Sequence, residues 1–452
     1  MSTEQFTKRH LEDLKFFKII YSKENDNGHQ YCDGLNIINK PFQTSGPHTS
    51  WFYITTAEYI HKFYEDGIWL YEITLPIDNP NFQIVKDAED DKWWVNMMVL
   101  GQRHSLMDLT TYDQFDLKPD YNEIFLMACQ QNCPDVVQSM ISKGIDNWFD
   151  GLKWSCSGGC LELVQLMISK GANNWDEGLE HACEAGHYEL VQLLITNGAN
   201  DFNKGLHGAC CGGHLEIAKK MIALGANSWN KGLEEACIGG CLELAKLMID
   251  NGANNFSDAL VYAYYADQLE LAQLVIDHGA NDLSWVLNLA CHSGNLKFAK
   301  LMVKNGAKNI NESLIDACKR GYLEIAQLMV DNGATDFDCG LWTACEEGHV
   351  EIAQLMITNG ADDFNIGLTF ACEKGHFELV QLMLENGEDD LNGGFVQACE
   401  NGWIEIAKLL IDKGAKVSTD ITNHIPLYYS PERIKLVTQK MTEFWNDYCC
   451  KS

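Results

Sequence analysis

The stretch that decides the fold is GLTFACEKGHFELVQLMLENG, residues 367–387. Almost the same words stand at residues 340–360, GLWTACEEGHVEIAQLMITNG. The step between them is 27 residues, and it holds along most of the chain. Gly144, Gly171, Gly198, Gly225, Gly252, Gly279, Gly306, Gly333, Gly360, Gly387 and Gly414 share it without an insertion. Eleven copies at a fixed period predict a stacked repeat, in which each unit buries a face against its neighbours.

The columns of this lattice assign the local structure. In the unit around NDFNKGLHGACCGGHLEIAKKMIALGAN, Leu206, Ala209 and Cys210 fall at helical spacing. Gly213 ends that helix, and His214 opens a second one. Leu215, Ile217, Ala218, Met221 and Ile222 then form a wide apolar face, and Gly225 closes the unit where φ > 0 is needed. Asn203 is expected to cap the first helix, as are Asn122, Asp176, Asn230, Ser257, Ser284, Asn311, Asp338, Asn365 and Asn392; Phe149 breaks that column. The apolar residue before each cap, such as Trp175 or Phe202, is expected to act as a staple between layers. No proline interrupts the stretch between Pro134 and Pro426, as dense helix requires. The expected architecture is mainly α: a solenoid of helix pairs, preceded by a small α+β domain.

Segments such as GHLEIAKKMIALGAN, GHYELVQLLITNGAN and GHVEIAQLMITNGAD resemble the second half of an ankyrin repeat, and GL–AC––GH resembles its first helix. The usual ankyrin unit has about 33 residues and a T-P-L-H turn. Here six residues and that turn are missing. The resemblance therefore implies ankyrin-like helix pairs with a clipped or absent β-hairpin, as in the short-repeat proteins of giant amoeba-infecting viruses. It covers roughly two-thirds of the chain, as the span of the repeat lattice shows. It also implies a scaffold that binds a host protein through the concave face of the solenoid, with the cytoplasm of an infected cell as setting.

Composition bounds the rest. The 452 residues carry 33 Lys+Arg against 64 Asp+Glu, a net charge of −31. Such a field repels nucleic acid and anionic membranes and favours a protein partner. No apolar run approaches the ~20 residues that span a bilayer. Ten of the 18 cysteines, Cys129, Cys156, Cys183, Cys210, Cys237, Cys291, Cys318, Cys345, Cys372 and Cys399, lie on the lattice, and Tyr264 breaks the series. Stacked helices lie about 10 Å apart. A disulfide needs Cα atoms within about 7 Å. The column is therefore expected to be small buried thiols, in a chain kept in a reducing compartment. Cys129/Cys133, Cys156/Cys160 and Cys237/Cys241 have ligand-like spacing, but no second pair completes a tetrahedral set, so neither a metal nor another cofactor is expected.

Three domains are expected: residues 1–118, 119–417 and 418–452. In the first, KFFKIIY, SWFYIT, GIWLYEITL and KWWVNMMVL read as strands and TAEYIHKFYEDG as a helix. In the last, the helix starting at Ser430–Pro431 is expected to cap the repeats, or else to dock an adaptor. The residue pair before Ala-Cys changes from unit to unit, and its members Trp154, His181, Tyr262, Trp342 and Phe370 are the candidate partner-binding residues. His187, His214, His349 and His376, each after a glycine, are expected to bond backbone rather than a ligand. A second reading places an enzyme at the front of the chain. The run from Gly34 through Leu75 resembles the start of an ADP-ribosyltransferase fold, which implies a site of His29, Tyr53 and Glu72. A third makes the protein a structural component of a particle. No phosphate-binding loop or hydrolase motif is present.

Overall fold

The computed structural model describes residues 11, 14–20, 30–32, 34–38, 51–87, 91–387, 391–415 and 439. The expected C-terminal helix from Ser430 and the residue His29 lie outside these. The chain divides into two compact units, Met1–Glu235 and Ala236–Ser452.

The front of the first unit is an antiparallel sheet of seven strands: β1 Phe16–Ile20, β2 Gly34–Ile37, β3 Phe52–Thr56, β4 Trp69–Thr74, β5 Ile84–Lys86, β6 Trp93–Val95 and β7 Met97–Ser105. Their order is β2-β7-β4-β1-β3-β6-β5. Phe16, Ile20, Phe52, Ile54, Ile73, Val95 and Met98 form one apolar cluster on it. Phe17 meets Phe115 edge-on at 5.4 Å on the other side, so the central strand β1 is buried along its whole length. The stretch KWWVNMMVL, expected as one strand, is two. Asn96 interrupts it: its side chain accepts from the Gln83 N–H at 2.8 Å and donates to the Asn81 carbonyl at 2.8 Å. The expected helix within 56–67 is a 3₁₀ helix, Ile60–Asp66, kinked at Phe63. Strands β2 and β5 were not legible.

After a short helix, α1 Thr110–Phe115, the chain becomes helix pairs. The first helices are α2 Tyr121–Gln130, α4 Trp148–Ser157, α6 Trp175–Glu184, α8 Phe202–Cys211, α10 Trp229–Ile238, α12 Phe256–Tyr265, α14 Leu283–Ser293, α16 Ile310–Arg320, α18 Phe337–Glu347, α20 Phe364–Lys374 and α22 Leu391–Asn401. Each is followed by a partner of nine or ten residues, from α3 Pro134–Ser142 to α23 Ile404–Asp412. The division between the two units falls within α10. The fold is the expected solenoid of helix pairs, and among the described residues from 121 to 415 there is no strand.

The apolar columns occupy the core. Leu206, Ala209, Cys210, Ala218 and Met221 are fully buried, as are their counterparts Leu341, Ala344, Cys345, Ala353 and Met356. The column thiols are free, and burial pushes Cys156, Cys183, Cys318 and Cys345 up to about 12, so they remain protonated.

One column differs from expectation. Asn203 is not the cap of α8. Asp201 is, its carboxylate accepting from the Lys204 N–H at 3.2 Å, and the apolar Phe202 is the first helical residue. Asn203 instead reaches forward, and its Oδ1 accepts the N–H groups of Asn227 (2.8 Å) and Ser228 (3.0 Å) in the next turn. Asp176 serves Asn200 and Asp201 in the same way, and Asp338 serves Asp362 and Asp363. Ser257 and Ser284 each accept one such N–H. Without a hairpin these turn amides have no ladder partner, and backbone donors require one. The column supplies it.

Candidate interaction surface

Because the fourth, fifth, eighth and ninth residues of each first helix are buried, the third, sixth, seventh and tenth, the buried Met127, Gly208, Val396 and Gln397 excepted, are left facing outward. On α6 these are Glu177, Glu180, His181 and Glu184; on α14 they are Trp285, Asn288, Leu289 and His292. The five predicted residues lie in this stripe, and each is half-buried rather than open. Trp154 and His181, on successive helices α4 and α6, stack with ring centroids 6.3 Å apart and planes 27° from parallel. The Lys153 ammonium lies 5.2 Å from the Trp154 ring. Trp342 donates from Nε1 to the Asp363 carbonyl at 3.3 Å, so part of its role is to tie one repeat to the next. Tyr262 and Phe370 lie on α12 and α20.

Variation in this stripe is not free everywhere. At Gly208, in the same column as Trp154 and His181, a Cβ would sit 2.2 Å from the Glu180 carbonyl oxygen. Helices α6 and α8 approach so closely there that only glycine fits. Around this approach the stripe is charged. Lys204 pairs with Glu177 at 2.8 Å, and Lys231 with Glu234 at 3.2 Å and Glu235 at 2.8 Å. Burial raises the Glu180 carboxyl and lowers the His207 imidazole, each shift favouring the neutral form. The hydrogen bond from His181 lowers Glu184.

Two exposed aromatics were missed: Tyr265 is 69% exposed and Trp285 57%. A signal existed. Trp285 stands in a column otherwise filled by Glu123, Asp150, Glu177, Lys204, Lys231, Asp258, Glu312, Cys339, Ile366 and Gly393, the only aromatic in it.

Of the four histidines after glycine, His187 and His376 bond backbone, as expected. His187 Nε2 lies 3.2 Å from the Ser157 carbonyl oxygen and His376 Nε2 3.1 Å from that of Glu346. In the same column Trp403 Nε1 donates to the Glu373 carbonyl at 3.1 Å.

At the front of the chain, Tyr53 and Glu72 are not brought together. They lie on β3 and β4 with β1 between, about two strand spacings or ~10 Å. The Tyr53 hydroxyl donates to Asp66 at 2.8 Å, and the Lys18 ammonium lies 3.4 Å from its ring centroid. Glu72 Oε1 is 3.4 Å from His104 Nε2. Within the first unit a cleft of about 420 Å³ is lined by His61, Lys118, Pro119, Asp120, Tyr121, Asn122 and Ile145, none of them a predicted site residue. The Asp120 carboxylate there caps α2 through the Asn122 and Glu123 N–H groups. No helix among the described residues is long and apolar enough to cross a membrane.

Comparison with known proteins agrees with this geometry. The family profile described as ankyrin repeats (3 copies) matches residues 124–205, 152–232, 314–393 and 341–421. Three similar proteins come from Acanthamoeba polyphaga mimivirus. The ankyrin repeat protein R868 is 40% identical over 117 residues, 25% of this chain and 57% of its own length. The ankyrin repeat protein R896 is 30% identical over 135 residues, 28% of this chain and 41% of its own. The uncharacterized protein R869 is 36% identical over 104 residues, 22% of this chain and 72% of its own. The chain thus spans about half the length of the first two.

Proposed function

We propose, on the premise that this chain belongs to the ankyrin-repeat family, that it is a non-enzymatic scaffold gripping a host protein in the cytoplasm of an infected cell through the outward stripe of its first helices. Ankyrin repeats are generally protein–protein interaction modules, and the viral relatives supply the host. One observation carries the assignment to this stripe. The buried columns repeat with little change, while the outward columns mix Trp154, His181, Tyr262, Trp342 and Phe370 with charged residues. Aromatic anchors with a polar surround are the usual composition of a binding hot spot. The net charge of −31 favours a protein partner over nucleic acid. The proposed division of labour is a sheet domain over residues 1–118, the repeats over 119–417 and a terminal segment over 418–452.

The test is capture of partners from amoebal lysate by the full chain, side by side with the Trp342→Ala/Phe370→Ala double variant. A partner retained by the first and lost by the second is the expected result. Equal retention by both baits would move recognition away from Trp342 and Phe370.

A further inference from the structure

The outward stripe of α12, α14 and α16, all within the second unit, differs from its surroundings. Tyr265 and Trp285 are the most exposed large aromatic side chains described, at 69% and 57%. Tyr262 and Leu289 lie beside them, one turn from Tyr265 and Trp285 respectively. Contiguous exposed apolar surface of this kind marks a contact site. Its charges are placed unevenly. Trp285 occupies the column between Asp258 and Glu312, which stand on the neighbouring first helices about 10 Å to either side. Both carboxylates are exposed, and neither is in an ion pair among the described residues. The nearby cation Arg320 is held by Asp316 at 3.4 Å, at the opposite end of α16 from Glu312. Each first-turn carboxylate outweighs the roughly half positive charge of its helix start. The exposed Lys308, whose N–H bonds to the Ser284 hydroxyl beside Trp285, opposes them, but Asp258, Glu312 and Asp282 together outnumber it. An indole face flanked by two unmatched carboxylates suits a cation.

We propose that this surface docks a cationic peptide segment of a partner protein, one lysine or arginine of which lies over the Trp285 ring between Asp258 and Glu312. Apolar neighbours in the same segment pack on Tyr262, Tyr265 and Leu289. The proposal rests on the reading above that the first-helix stripe binds protein, and it names the chemistry of what is bound. The chain's charge of −31 draws such a segment in, and the aromatic island holds it.

The experiment is selection of short random peptides displayed on phage against the full chain, followed by fluorescence polarisation with the synthesised winners. Winners should carry Lys or Arg beside an aromatic or aliphatic residue. Trp285→Ala should weaken them at least about tenfold, as loss of an aromatic anchor does. Asp258→Asn with Glu312→Gln should weaken them less, and that loss should shrink at raised salt. These side chains are exposed, so the variants should keep the wild-type circular dichroism spectrum. Winners without cations, or winners indifferent to Trp285→Ala, overturn the proposal, as does a selection that enriches nothing. Winners that survive Trp285→Ala but fail with Trp342→Ala or Phe370→Ala sink this site while leaving the wider stripe reading in place.

Discussion

Asn203→Ala removes one acceptor that serves two turn amides, at 2.8 and 3.0 Å. A single intramolecular hydrogen bond contributes about 0.5–1.5 kcal/mol, so two are worth ~1–3 kcal/mol. Alanine is the better helix former by roughly 0.5 kcal/mol, which offsets part of the loss. The Asn227 end of the turn is exposed, and water replaces some of what is lost there. The net expectation is ~1–2 kcal/mol of local opening, a 5- to 30-fold faster amide exchange at Asn227 and Ser228. Asn203→Asp keeps the acceptor, as Asp176 and Asp338 do at equivalent positions, and should exchange at the wild-type rate. The chain holds its own control. Phe149 fills this column without a side-chain acceptor, so the turn amides of Asn173 and Asn174 should exchange faster than those of Asn200 and Asp201, and Phe149→Asn should slow them. If Asn203→Ala leaves exchange at Asn227 and Ser228 unchanged, or if Asn203→Asp opens the turn as much, the clamp is not what closes one repeat on the next.

Leu341 is fully buried, and Leu341→Ala should cost ~2–5 kcal/mol in chemical unfolding; a loss of a few tenths would remove it from the core. Gly208→Ala should lower the thermal midpoint much more than Gly393→Ala, because its Cβ meets the Glu180 carbonyl at 2.2 Å whereas at Gly393, also helical, the nearest atom is the Thr369 hydroxyl oxygen at 4.0 Å. Cys156, Cys183, Cys318 and Cys345, pushed up to about 12, should resist alkylation at pH 8 until denaturant is added, while the exposed Cys32 reacts at once; mass spectrometry of the labelled chain decides. His207, lowered by burial, adds stability that is complete above its unfolded value of about 6.5 and is lost as pH falls through its folded value, so His207→Gln should flatten that part of the pH–stability curve.

The buried columns were legible because burial imposes a rule that a repeating sequence states many times over. Leu at 206 or 341, Ala at 209 or 344 and the thiol beside it are each the answer to one packing problem. The backbone bonds of His187 and His376 were legible for the same reason. What failed is where a side chain's partner lies some 24 residues ahead. A polar residue near a helix start resembles a cap, and only the fold shows that Asn203 serves Asn227 rather than its own helix. At the front of the chain no repeat restates the rule, and Asn96 breaks a strand through bonds to Gln83 and Asn81 that its own neighbours do not announce. Trp154, Trp342 and their fellows were singled out from one pair of columns. Trp285 stood in a column left uninspected, where its size alone set it apart.

Losing the hairpin changes where this protein can present chemistry. A projecting hairpin would carry recognition residues away from the helices; here the turn is only a few residues long and its amides are occupied by the Asn203 column. The Trp342 indole is drawn into the same task through the Asp363 carbonyl. In the proposed reading, recognition is then left to the first-helix stripe, at most four outward positions per repeat, and even these are constrained wherever helices close to the distance seen at Gly208. Such a surface discriminates by which aromatic stands beside which charge rather than by loop shape. Its specificity should therefore respond to single outward substitutions and stay insensitive to changes in the turns, provided the clamp holds.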